Sequence, residues 1–118
     1  MKLRVSNPGR SRVLADRAEI ADTSAKRRTG LLKRSGLEPG EGLWIAPCEG
    51  VHTFGMKFPI DVVFLNRHKK VLKIRPSMVR GRMALSLRAH SVLELPAGTV
   101  MATDTRVGDQ LEFEKYDA

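Results

Sequence analysis

Three side chains close together in the sequence, Cys48, His52 and Asp61, are of the types found in a nucleophilic triad. A thiol becomes a useful nucleophile when an imidazole takes its proton and a carboxylate orients that imidazole. The types are present, but the setting is not that of an activated thiol. Cys48 is followed by Glu49 and Gly50 rather than by a helix whose N-terminus would lower its pKa, and no segment reads as an oxyanion hole. A Cys-His-dependent hydrolase is therefore the least favoured of three readings. Structural zinc wants four ligands at short spacings, and the other histidines, His68 and His90, fall in separate loops, so no metal is expected. Gly36, Gly40 and Gly42 lack the Lys-Ser/Thr ending of a phosphate-binding loop, and no cofactor is expected either.

Between the cysteine and the aspartate, Phe54, Met56 and Phe58 alternate with Gly55 and Lys57. Soft apolar side chains around a few convergent polar groups are what a small-molecule pocket needs. His52, Phe54, Met56, Lys57 and Asp61 thus form the expected ligand-binding set, and the favoured function is non-catalytic binding of a small ligand or partner at residues 48–61. The alternative follows from charge. The chain carries a net charge of +8, and between residues 62 and 93 there are eight Lys or Arg and no Asp or Glu. Arg67, Lys69, Lys70, Lys73, Arg75, Arg80, Arg82 and Arg88 would bind nucleic acid or an acidic partner with little sequence preference if they shared one surface. The only Trp and Tyr, Trp44 and Tyr116, lie outside this stretch, so no aromatic stacking platform accompanies it.

The element that must position the candidate site is the run Ile60-Asp61-Val62-Val63-Phe64-Leu65. A short, nearly unbroken series of β-branched and aromatic residues reads as a strand covered on both faces. Asp61 then heads a row that is otherwise core. A buried carboxylate needs donors, and the nearest in sequence are those of residues 51–57. Pro59 fixes the entry to the strand.

Around this centre the chain reads as one domain, residues 1–118. Leu3 and Val5, then Val13 and Ala15, flank a turn at Asn7-Pro8-Gly9 and predict a hairpin. A helix is expected over residues 25–34, with Asp22, Thr23 and Ser24 as N-cap candidates and Gly36 as the stop. Further strands are expected at 43–46, 71–74, 91–95 and 110–113, with a short helical turn at 99–102 and a long loop over 76–87. The fold class is therefore α+β: a mostly antiparallel, barrel-like sheet of short strands with one main α-helix near the N-terminus. The beginning of the chain lacks the apolar centre of a signal peptide, no stretch suits a membrane span, and a single Cys forms no internal disulfide, so a cytoplasmic location is expected.

The blocks G-L-L-x-R (30–34), G-x-G-L-W (40–44), H-T-F-G-M-K-F-P-I-D-V-V-F-L (52–65), V-L-E-L-P-A-G (92–98) and G-D-Q-L-E-F (108–113) occur in an order that resembles the uncharacterised family called domain of unknown function 192. The resemblance runs from about residue 22 to residue 113. A common form of that family has an aromatic-Met-Lys-Asn-Thr block where this chain has Phe54-Gly55-Met56-Lys57-Phe58, so the polar pair of that form has no equivalent here. The resemblance implies a small, compact, mostly β domain carrying a helix, and it implies no reaction.

Overall fold

The computed structural model of the chain describes residues 1–117. In chain order it contains β1 (Lys2–Asn7), a 3-10 turn (Pro8–Arg10), β2 (Arg12–Ala21), α1 (Ser24–Thr29), β3 (Glu41–Ile45), β4 (Gly50–His52), β5 (Ile60–Leu65), β6 (Val71–Met78), β7 (Met83–Leu85), β8 (Ser91–Pro96), α2 (Thr99–Ala102) and β9 (Glu112–Tyr116). Seven strands form one sheet in the order β6-β5-β8-β3-β2-β1-β9, and β4 pairs with β7 in a separate two-stranded flap. Neighbours in the large sheet are antiparallel except β2 and β3. Parallel neighbours need a long crossover, which the chain between Ala21 and Glu41, with α1 in it, provides.

All six residues of β5 are buried, because an apolar cluster covers each face of the sheet. Val63 and Leu65 join Leu3, Val5, Leu14, Leu93, Leu95, Val100 and Leu111 on one side, with Trp44 and Phe113 packed at its margin. Every strand of the large sheet contributes to this cluster, so the sheet curls over it. Ile60, Val62 and Phe64 point the other way, into a cluster with Leu31, Ile45, Met56, Met78, Ala84 and Val92. The flap and the segment after α1 cover that second cluster. Gly42 lets β3 approach closely, since a Cβ there would meet the Glu94 carbonyl oxygen at 3.1 Å and Leu95 Cδ2 at 3.2 Å.

The structure corrects four expectations. The sheet does not close into a barrel: among the described residues the edge strands β6 and β9 share no ladder, and the isolated bridge Lys70–Gln110, with the Gly108 N–H on the Val71 carbonyl oxygen, joins their ends. The helix near the N-terminus is six residues, too short to be a main element. Thr23 caps it through a bond from the Lys26 N–H, and Gly30, at φ 48°, stops it well before Gly36. Leu31, just beyond it, packs into the second core cluster. Residues 76–87 are not one loop, because β6 runs on to Met78 and β7 follows. Pro76 is tolerated there because β6 is an edge strand and its outward side needs no N–H.

The fourth correction concerns Asp61. Its carboxylate is fully buried, yet its donors are the backbone N–H groups of Ser77 and Val100, each at 2.8 Å, and none comes from residues 51–57. The side chain lies on the face of Val63 and Leu65, where it ties β6 and the first turn of α2 to the central strand. Asp61→Ala leaves both N–H groups without a partner and should cost at least ~2 kcal/mol. In a urea melt we expect a lower midpoint at an unchanged slope; an unshifted midpoint would contradict this assignment.

Candidate functional site

Glu94 is the residue that the candidate site is built on. It sits in β8 between Leu93 and Leu95 and pairs with Val62 on one side and Leu43 on the other. Strand alternation sends Leu93 and Leu95 to the first cluster and turns Glu94 with Val92 to the second. Glu94 is 5% exposed. Nothing among the described residues donates a hydrogen bond to its carboxyl, and burial alone pushes its pKa up to about 7.

The carboxyl faces a cleft of about 170 Å³. Ile45 and Met56 supply apolar wall, β4 contributes Gly50, Val51 and His52, and the end of α1 contributes Arg27 and Arg28. Cys48 stands beside Glu94. Its thiol donates to the Gly50 carbonyl oxygen at 3.1 Å, and burial raises its pKa; the Glu94 charge raises it further while the Arg27 charge lowers it. A thiol held in this way is a weak nucleophile.

Of the residues the sequence proposed, His52 and Met56 line this cleft. Phe54 does not. It lies outside, half-exposed and stacked on His52 with ring centroids 5.4 Å apart. Lys57 borders a separate pocket of about 290 Å³ with Met56, Phe58, Pro59, Val79 and Arg80. Asp61 lies on the opposite face of the sheet, so Cys48, His52 and Asp61 are not assembled as a triad. Among the described residues no group of three or more His, Cys, Asp or Glu is placed to hold a metal ion.

The eight basic residues are likewise divided. Lys69 lies over the rings of Trp44 and Phe113, at 4.9 and 5.2 Å, and burial lowers its pKa. Lys73 and Arg75 emerge on the other face, where Lys73 Nζ donates to the Leu85 carbonyl oxygen at 2.8 Å and Arg75 Nη1 to that of Met83 at 3.3 Å. Lys70 belongs to the bridge with Gln110. Arg67 and Arg88 border a cleft of about 620 Å³ with His68 and His90, and Arg80 and Arg82 sit in the turn between β6 and β7.

Sequence reasoning missed Glu94 and Thr53. The signal for Glu94 was present as a carboxylate in the middle of the apolar run S-V-L-E-L-P. Thr53 is fully buried and anchors the 79–82 turn: its hydroxyl donates to the Val79 carbonyl oxygen at 2.6 Å and accepts from the Arg82 N–H at 2.9 Å. Nothing local in the sequence marks a threonine for that task.

A family model for domain of unknown function 192, described as "Uncharacterized ACR", matches residues 5–113. The chain belongs to this family. Relatives include a UPF0127 protein of Pyrococcus abyssi, 30% identical over 92% of this chain and 96% of its own length. Another, from Pyrococcus furiosus, is 31% identical over 81% of this chain and 85% of its own length. Two solved structures share the fold at 24% identity. One is a protein of unknown function from Novosphingobium aromaticivorans, with TM-score 0.80 over 93% of this chain and 82% of that one. The other is a candidate transcription regulator from Sinorhizobium meliloti, with TM-score 0.82 over 94% of this chain and 91% of that one.

The raised pKa of Glu94 predicts a pH signature. As pH rises from about 4.5 to about 7, the unfolded chain releases the Glu94 proton while the folded chain keeps it, so stability falls across this window and levels off above it. The full effect is roughly 3 kcal/mol. Glu94→Gln removes it, so urea midpoints of variant and parent should diverge progressively between pH 5 and pH 8, with the variant the more stable. Parallel profiles would show that the carboxyl titrates normally.

Proposed function

We propose that this chain is a binding module without chemistry of its own, and that its cleft takes a small ligand presenting an ammonium or other hydrogen-bond donor to Glu94 and an anionic group to Arg27. The observation that carries this reading is the Glu94 carboxyl, which has no donor within the described residues and opens onto the cleft from an otherwise buried residue. A carboxyl in such a place, with its pKa raised by burial, is where an incoming donor gains most. Arg27 and Arg28 at the mouth supply the opposite charge, and Ile45, Val51 and Met56 supply apolar contact for the ligand's carbon skeleton. The neutral thiol of Cys48 and the distance of Asp61 from the cleft favour recognition over reaction.

The polyanion reading is weaker on this geometry. It needed one continuous positive surface, whereas Lys69 and Lys73 lie on opposite faces of the sheet, over Trp44 and Phe64 respectively. Lys73 and Arg75 also spend donors on the backbone of β7.

Glycine, β-alanine, ethylamine and acetate make a discriminating probe set for thermal-shift measurements. Molecules with both an ammonium and a carboxylate should raise the melting temperature most, more strongly above pH 7, where Glu94 is ionised, than at pH 6. The effect should vanish in Glu94→Gln, and the same ligands should slow alkylation of Cys48 by iodoacetamide. Shifts that persist in Glu94→Gln, or no shift with any member of the set, would contradict the reading.

A further inference from the structure

We propose that the outer face of the β4–β7 flap docks on an anionic lipid surface. The flap has two different sides. Val51 and Ala84, a register pair, pack inward on the second core cluster, so Met83 and Leu85 turn outward, Leu85 opposite Gly50, while His52, the partner of Met83, borders the cleft at the flap's rim. Phe54 extends this outer face by stacking on His52. Met83 is 69% exposed, Leu85 53%, Phe54 50% and Leu87, just beyond the strand, 73%. Scattered apolar side chains on a surface need no explanation, but a group of them projecting from one small flap marks an interaction site.

The surroundings are cationic. Lys73 and Arg75 lie along the flap's edge, bonded to the carbonyl oxygens of Leu85 and Met83. Arg80 and Arg82 are exposed in the turn that leads into β7, a turn that Thr53 holds in place. No Asp or Glu occurs between residues 62 and 93, and Glu49, just before β4, is the acidic residue nearest in the chain.

These features discriminate among occupants. Strand addition at β7 is blocked, because the carbonyl oxygens that a new strand would use are already taken by Lys73 and Arg75. A second copy of the chain would bring like charges together. Nucleic acid would satisfy the cations and leave Met83, Leu85 and Leu87 in water, since phosphates reward charge alone. Side chains more than half exposed project rather than line a pocket, whereas a protein partner's anchors usually enter pockets. An anionic bilayer meets both demands, with headgroups for the arginines and acyl-chain boundary for the aliphatic tips.

Flotation of the full chain with phosphatidylcholine vesicles, and with vesicles that also contain phosphatidylserine, tests this directly. We expect binding to the anionic vesicles that weakens with added salt and is at least ~10-fold weaker on neutral ones. The double variant Met83→Ser/Leu85→Ser should lose roughly tenfold or more by removing inserted apolar groups. Independently, Arg80→Glu/Arg82→Glu should lose at least as much through charge. Both pairs are exposed, and unchanged melting temperatures would confirm that each variant is folded. Absence of vesicle binding at low salt, or full binding by both double variants, would overturn the proposal. So would self-association abolished by Leu85→Asp, or capture by poly(A) RNA or polyglutamate, when vesicles are not bound.

Discussion

Apolar clusters cover both faces of this sheet, and a polar group placed there must find its partner within the protein or in a cleft. The adjacent strands β5 and β8 show two outcomes of that constraint. Asp61, on one face, accepts two backbone N–H groups and so fastens β6 and α2 to the centre. Glu94, on the other, has no donor among the described residues and faces a cleft. An apolar side chain in place of Glu94 would make a better core, because burial of an unpaired carboxyl costs stability that burial of a leucine adds. The sequence nevertheless carries a carboxylate there. Local sequence choices that oppose folding are expected at functional sites, which is the physical basis for treating this position as the centre of a binding site.

A second carboxylate, Asp109, fastens distant parts of the chain to each other. Arg10 donates from Nε and Nη2 to the carboxylate of Asp109, at 2.7 and 3.0 Å, while Asn7 and the Arg106 N–H bond the same group. These contacts hold the Asp109 pKa far below the usual carboxylate range and connect the turn after β1 to the segment entering β9, residues about a hundred apart in sequence. Their pH dependence has the opposite sign to that of Glu94: the stability they add is present at neutral pH and is lost as pH falls. Between the two edge strands the Lys70–Gln110 bridge makes contact, without closing the sheet into a barrel.

How far the sequence was legible depended on whether the cause was local. The unbroken apolar run of β5 declared a strand buried on both faces, and Asp61 declared itself as a group needing donors. The family was visible in five blocks spread along the chain. The identity of those donors was not, because Ser77 and Val100 are far away in sequence and a backbone N–H carries no residue signature. Helix length was misjudged since Gly30 reads as a tolerable interior glycine unless one knows that Leu31 has core to reach. The flap was hidden because three-residue strands show too little alternation to establish a period. Alternation in 91–95 did put Glu94 with Val92, but only the other cluster's position turned that face into the floor of a cleft.

Glu94 has no donor among the described residues, and its titration reports directly how strongly its surroundings desolvate the carboxyl. Selective carbon-13 labelling of glutamate side chains, with carboxyl shifts followed by NMR from pH 4 to pH 9 and the signal assigned through Glu94→Gln, isolates this one group. A midpoint near 7 is predicted. A midpoint near the ordinary value of about 4.3 would mean that the carboxyl is as well solvated as a surface one, and the cleft would lose its claim to be a binding site.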